Sequence, residues 1–229
     1  LSVSDTFDST RDARVAVVTG HHPFDVPHFQ DAFRSMPGVL AYPQDLCEFS
    51  SDVAKLRDDY AAVVFYMMPL QTPGSETEWW DRGIRGALDR LGETEQGIVV
   101  LHHALLAYRD WDRWHGLIGL DNRTYKSYHP GEQVTSQIAD SSHPITRGLE
   151  SWTMTDETYV MGDAGPDSHV LVTYDHPRSM HTIAWTRTFG KARVFCYAAG
   201  HDRLTYADPN FRELLRRGIL WAAHREDSI

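Results

Sequence analysis

The run Gly97-Ile98-Val99-Val100-Leu101-His102-His103 constrains the fold of this chain more than any other stretch. Ile98 to Leu101 is continuously apolar and mostly β-branched, which predicts a strand buried on both faces, as in a parallel sheet. The run stops at two histidines, and the small and apolar residues Ala104 to Ala107 suit the start of a helix. A strand that turns sharply into a helix displays its turn residue at the C-terminal edge of the sheet, where open α/β folds bind ligands. A nucleophile elbow has this form but carries Ser or Cys. Imidazole stands in that place here, and it can bind a metal, shuttle a proton or donate a hydrogen bond. The alternative is a histidine pair that merely punctuates a strand end.

The rest of the chain repeats the theme. Arg14 to Thr19 reads as a first strand ending in Gly20-His21-His22-Pro23-Phe24. Asp25 can cap the helix that follows, with Pro27 in its first turn and Val26, Phe29, Phe33 and Met36 as its apolar stripe. Val39 to Tyr42 and Ala61 to Tyr66 are further strands, and Ser75 to Leu91 is a helix capped by Ser75 and closed by Gly92. Asp110 to Leu117 continues as helix. Residues 121–143 are polar and turn-rich, with a short strand at Val134 to Ile138, and suit a lid or pocket wall. His169 to Tyr174, Thr182 to Thr188 and Ala192 to Tyr197 are strands, the last two joined by a hairpin turn at Phe189-Gly190-Lys191. Asp208-Pro209 opens a final helix. Strands alternating with helices predict a mainly parallel sheet covered by helices on both faces. Residues 1–13 read as a flexible segment and 14–225 as one domain.

Composition limits the partners. The chain has 229 residues, enough for one large α/β core, and a formal net charge of -10, which disfavours any nucleic acid. No apolar run approaches the roughly 20 residues that span a bilayer, so no membrane partner is expected. The first residues show no signal-peptide pattern, and Cys47 and Cys196 do not make a disulfide scaffold, so a cytoplasmic location is expected. The absence of an initiating Met leaves a removed leader open. The 13 His, 7 Trp and 10 Tyr suit a polar, aromatic-lined pocket.

Seven phrases resemble the ThuA-like, trehalose-utilisation family, and they occur in that family's order from residue 20 to 223. They are Gly20-His21-His22-Pro23-Phe24, Val100-Leu101-His102-His103-Ala104, His143-Pro144-Ile145-Thr146, Asp156-Glu157-Thr158-Tyr159, Trp185 to Gly190 with Arg193-Val194, Gly200-His201-Asp202, and Ile219-Leu220-Trp221-Ala222-Ala223. The resemblance implies a class I glutamine-amidotransferase-like fold, a flavodoxin-like three-layer sandwich. It implies that His102 occupies the elbow where amidotransferases keep a nucleophilic Cys. The chain departs at Val100, where relatives often carry Gly. Glutamine hydrolysis needs a thiolate at the elbow with a His base, and neither Cys47 nor Cys196 falls there. The family is tied to sugar catabolism, which implies a small-molecule carbohydrate, an oxidised (3-keto) glycoside, as substrate.

His22, His102, His103 and His201 all follow predicted strands, so in a parallel sheet they can share one crevice. His102, His201 and Glu157 are the candidate catalytic residues. His22, His103, Tyr159, Trp185 and Asp202 are candidate substrate contacts, although Tyr159 and Trp185 also suit core positions and Asp202 a turn or helix cap. His22, His102 and His201, with a carboxylate such as Glu157, could hold a divalent metal such as zinc. His143 reads as the start of a helix-like turn, and the remaining histidines take no role. Two functions stand: an enzyme using His/Glu acid–base or metal-assisted chemistry on a sugar, and a non-catalytic sugar-binding or regulatory module. Association into a homo-oligomer stays open.

Overall fold

The computed structural model describes residues 12–53, 56–74 and 79–229. Of the expected flexible segment 1–13, residues 1–11 lie outside the described residues, as does the Ser75 cap, whereas Ala13 is buried at the start of the first strand, where it pairs with Val39. The strands are β1 (Ala13–Gly20), β2 (Val39–Asp45), β3 (Ala62–Met67), β4 (Gly97–Leu101), β5 (Ser127–Ile138), β6 (Trp152–Val160), β7 (His169–Tyr174), β8 (Thr182–Phe189) and β9 (Ala192–Tyr197). The helices are α1 (Val26–Arg34), α2 (Leu46–Ser51), α3 (Trp79–Asp89), α4 (Asp112–Ile118), α5 (Arg203–Ala207) and α6 (Pro209–Ala222). All nine strands join one sheet in the order β2-β1-β3-β4-β9-β8-β7-β5-β6.

The apolar runs at Arg14 and Ile98 form interior strands, as their composition requires. β1 lies between β2 and β3, and β4 between β3 and β9, all parallel. Every residue of β3 and β4 is buried. Phe65 and Tyr66 show how the two faces are covered, because successive strand residues point to opposite sides. Phe65 meets Phe49 of α2 and Trp114 of α4, whereas Tyr66 meets Phe29 of α1 and forms a hydrogen bond with Tyr206 of α5. On the second side α6 lies over β9 and β4. Aspartates start the helices there: Asp25 accepts from His28 N, and Asp208 accepts from Asn210 N and Phe211 N ahead of Pro209.

The expectation of a mainly parallel sheet needs correction. Four strand pairs are parallel and the other four, from β9 outward to β6, are antiparallel. The cause is connection length. A hairpin such as Phe189-Gly190-Lys191 returns the chain beside itself, whereas a parallel neighbour needs a long crossover. The polar segment 121–143 is likewise no simple loop. Much of it is β5, which carries a bulge between His129 and Glu132. β6 escapes sequence reading because Asp156 and Glu157 interrupt its alternating pattern at the place where both are buried.

Gly97 shows how tightly the central strand is seated. A Cβ at this position would lie 2.4 Å from the carbonyl oxygen of Ala222 at the end of α6. Overpacking against backbone costs about 1–3 kcal/mol. Gly97→Ala is therefore expected to lower the urea-unfolding free energy by roughly that amount. An unchanged midpoint would mean that α6 can move away without cost.

Candidate functional site

β1, β4 and β9 are parallel, so the turns after them share one edge of the sheet, and the site is built there. The elbow after β4 is a short 3-10 helix, His102–Leu106, and His102 itself has φ +50°. A non-glycine residue in the left-handed region costs roughly 1–2 kcal/mol, so its surroundings must hold it. Trp114 Nε1 donates to Ala104 O at 3.1 Å, and the buried Arg123 guanidinium donates to the carbonyls of Leu105 and Ala107. Burial pulls the Arg123 pKa down to about 10. Imidazole thus occupies a strained elbow.

The hydrogen bonds of His102 decide its chemistry. Its Nδ1 lies 2.8 Å from Ala198 O, an acceptor only, so Nδ1 carries the proton. In its neutral form the ring then presents a lone pair at Nε2, and Nε2 faces the Tyr159 hydroxyl at 2.7 Å. Burial first, and Glu157 second, push the Tyr159 phenol well above its ordinary pKa, so it stays a neutral donor. Glu157 Oε1 stands 3.5 Å from His102 Nε2 and 3.5 Å from His201 Nδ1. Burial opposes ionisation of Glu157, but His102, His201 and Tyr159 outweigh it and hold its carboxyl below the usual range. His102 is wholly buried and Glu157 nearly so, whereas the His201 side chain is 29% exposed. His201 is therefore the member of the cluster open to solvent.

The other expected residues divide. His22 stacks on His103 with ring centroids 4.3 Å apart, and His103 lies 4.1 Å from the Tyr66 ring. Burial, then the proximity of His102, lowers the pKa of both, that of His103 to about 2. Both are neutral imidazoles bordering the cluster. His22 is not in the compact ligand group of His102, Glu157 and His201, whose ligand atoms all lie within 4.8 Å of one another. Trp185 needs correction as a substrate contact: it is fully buried and donates from Nε1 to Ile118 O at 2.9 Å. Asp202 caps α5, accepting from Leu204 N and Thr205 N. His143 accepts from Ile145 N and starts a turn, as its place before Pro144 suggests.

Several supporting groups escape sequence reading. Asp156 is buried and accepts from Gly200 N at 2.9 Å, His201 N at 3.0 Å and Thr205 Oγ1 at 2.7 Å. Burial pushes its carboxyl up despite these donors. The Tyr66 and Tyr206 hydroxyls, 2.5 Å apart, lie 2.8 Å from Gly200 O and 2.9 Å from His201 O respectively, so one donates to its neighbouring phenol and the other to its carbonyl. The His201 turn is thereby gripped through its backbone while Glu157 faces its side chain. Tyr125, half-buried, packs edge-on against Tyr159 near Glu157. The adjacent acids Asp156-Glu157 were the one signal available for this arrangement.

Comparison with known proteins supports both the fold and the phrases. The model of the family ThuA, described as trehalose utilisation, matches residues 14–222. A search of curated proteins finds no match. A protein described as ThuA-like from Parabacteroides merdae is 19% identical with a TM-score of 0.69, covering 93% of this chain and 90% of its own. A protein described as cytoplasmic from Salmonella typhimurium is 12% identical, TM-score 0.61, over 91% of this chain and 98% of its own. PurLQS of Thermotoga maritima is 14% identical, TM-score 0.57, over 91% of this chain and 98% of its own. These likenesses show that the chain shares its α/β fold with those proteins. Among the described residues no helix is long and apolar enough to cross a membrane.

The depressed His103 pKa makes stability depend on acid. Below about pH 6.5 the unfolded chain takes up a proton that folded His103 refuses until about pH 2, so stability falls as pH drops through that window. The slope is about 1.4 kcal/mol per pH unit, or roughly 2 kcal/mol between pH 6.5 and 5. Denaturant unfolding at the two pH values is expected to show this loss, and His103→Gln to reduce it by about that amount. Equal pH dependence in both proteins would place the acid sensitivity elsewhere.

Proposed function

This chain belongs to the ThuA, trehalose-utilisation, family, and from that premise we propose that it is an enzyme of carbohydrate catabolism acting on an oxidised (3-keto) glycoside by proton transfer at His102, Glu157 and His201. The observation that carries the reading is the meeting of two imidazoles on one carboxylate at the C-terminal edge of the parallel strands, with one ring open to solvent. A ketone acidifies the neighbouring C–H. A base removes that proton, the electron pair moves into a C=C bond, and the ketone oxygen takes the charge as an enolate. Reprotonation from another face or carbon gives an isomer. Re-formation of the C=O bond, with the enolate pair moving into a C=C bond between the α-carbon and the anomeric carbon as the glycosidic C–O bond breaks, gives elimination, the leaving oxygen taking a proton.

The residues divide this work by environment. Glu157, held ionised, is the proton acceptor. His201, the exposed ring, donates to the developing oxyanion. His102, its Nδ1 committed to Ala198 O, packs against Glu157 from the buried side. Tyr159 supplies a neutral hydroxyl. His22 and Tyr125, both partly exposed, are placed to contact the sugar. Glutamine hydrolysis is not expected. Cys47 is exposed on α2, and Cys196 lies buried in β9, where burial pushes its thiol pKa up.

Incubation with oxidised and unoxidised disaccharides tests the assignment. Turnover of the keto form alone is expected, with Glu157→Gln losing about 10²–10⁴-fold while its melting temperature stays within a few degrees. Combining Glu157→Gln with His201→Ala should cost little more than the worse single change, because the groups act as a unit. Keto-sugar binding without turnover would leave a sugar-binding module instead.

A further inference from the structure

We propose that His102 Nε2, Glu157 Oε1 and His201 Nδ1 are the three protein ligands of a divalent cation of zinc type, with a further coordination position open to solvent. The inference deepens the proposed function, since it concerns the same three side chains and rests on their being the working centre.

Geometry is the first support. Atoms bound about 2.0–2.1 Å from a tetrahedral zinc ion lie roughly 3.3–3.4 Å from one another. Both imidazole nitrogens stand 3.5 Å from Glu157 Oε1, and the three atoms fit within 4.8 Å. Such separations are too long for good hydrogen bonds yet close to the edge of a coordination tetrahedron. Two imidazoles with one carboxylate are also a donor set used by catalytic zinc sites that keep one position open.

The bonding around the ligands is the second support. His201 Nδ1 is buried and has no hydrogen-bond partner, a state that costs about 1–3 kcal/mol unless something else meets the nitrogen. His102 uses Nδ1 on the Ala198 carbonyl, the outer hydrogen bond that typically orients a metal-binding imidazole. Its Nε2 lone pair is thereby aimed at the cluster. The Tyr159 hydroxyl now near that lone pair also interacts with the Glu157 carboxylate, so it has an alternative acceptor when a cation takes Nε2. Asp156 accepts from the His201 amide at 3.0 Å, which holds the backbone of the third ligand in place.

A cation here would occupy Glu157 Oε1 and pass the proton acceptor's role on: a water on the open position would have its pKa drawn toward 7 and become the base at neutral pH. The neighbouring His22 and His103, kept neutral, add no positive charge against it.

The test uses the full chain, stripped with chelator and titrated with Zn²⁺ by calorimetry and with Co²⁺ by visible absorption. One equivalent is expected to bind, with the intense Co²⁺ bands of a four- or five-coordinate site. Glu157→Gln and His201→Ala should each weaken binding at least about tenfold. His115→Ala, on an exposed residue of α4 outside the cluster, should bind as wild type. His201→Ala is the informative variant because its ring is partly exposed, and circular dichroism confirms its folding. Absence of stoichiometric binding, or binding unchanged in both cluster variants, overturns the site. Turnover of a keto-glycoside by cation-free protein would overturn it as the working form while leaving the acid–base reading intact. Cation binding without turnover would do the reverse.

Discussion

The hydrogen bond from His102 Nδ1 to the Ala198 carbonyl is the interaction on which the site depends. It joins residues 96 apart in the chain, at the ends of two adjacent parallel strands. It sets the tautomer of an imidazole that is held in a left-handed turn and closed off from water. Without it either ring nitrogen could carry the proton, and the lone pair would have no fixed direction. The strained turn is tolerable because Trp114 and Arg123 tie down the carbonyls just beyond it. A local cost at the elbow is thus offset by contacts from α4 and from the segment before β5.

A second constraint acts from the antiparallel half. β6 brings two consecutive acids to the same turn in different ways. Asp156 takes the backbone donors of Gly200 and His201 and the Thr205 hydroxyl, whereas Glu157 meets the imidazoles. One carboxylate is consumed by structure, and the other is the one that the proposed chemistry uses. Their environments push them apart: burial raises the pKa of Asp156, while His102, His201 and Tyr159 keep Glu157 ionised against the same effect.

The mixed sheet explains where the site lies. Parallel strands deliver His22, His102 and His201 to one edge, because each such strand ends on the same side. The carboxylate that meets His102 and His201 comes from outside these strands. The hairpin reversal after β8, and the strands beyond it, return the chain so that β6 can present Glu157 to that edge. The antiparallel extension therefore completes the site, and the segment that looks like a lid in sequence is a strand of the scaffold that holds β6 in register.

Local pattern was enough to place much of this chain. The β-branched runs at Arg14 and Ile98 could be satisfied only in the interior of a sheet, and Asp25 and Asp208 announced their helices because each can take the free amides of a first turn. Histidines following such runs had to lie at strand ends, so the candidate site was legible as positions. What sequence could not decide was which positions meet. Trp185 and Asp202 looked like pocket residues because indole and carboxylate suit a pocket as well as a core or a cap; a tertiary contact with Ile118 assigned Trp185 to structure, and a local cap on the α5 amides assigned Asp202. β6 was hidden because acids inside a strand are unfavourable until donors from Gly200, His201 and Thr205 satisfy them. Sequence alone determined the chemistry available at each strand end, since that follows from residue type and local periodicity. Only the tertiary structure decided that His102, Glu157 and His201 form one cluster, because their contact depends on strand order, and strand order is set by long-range pairing that no local pattern records.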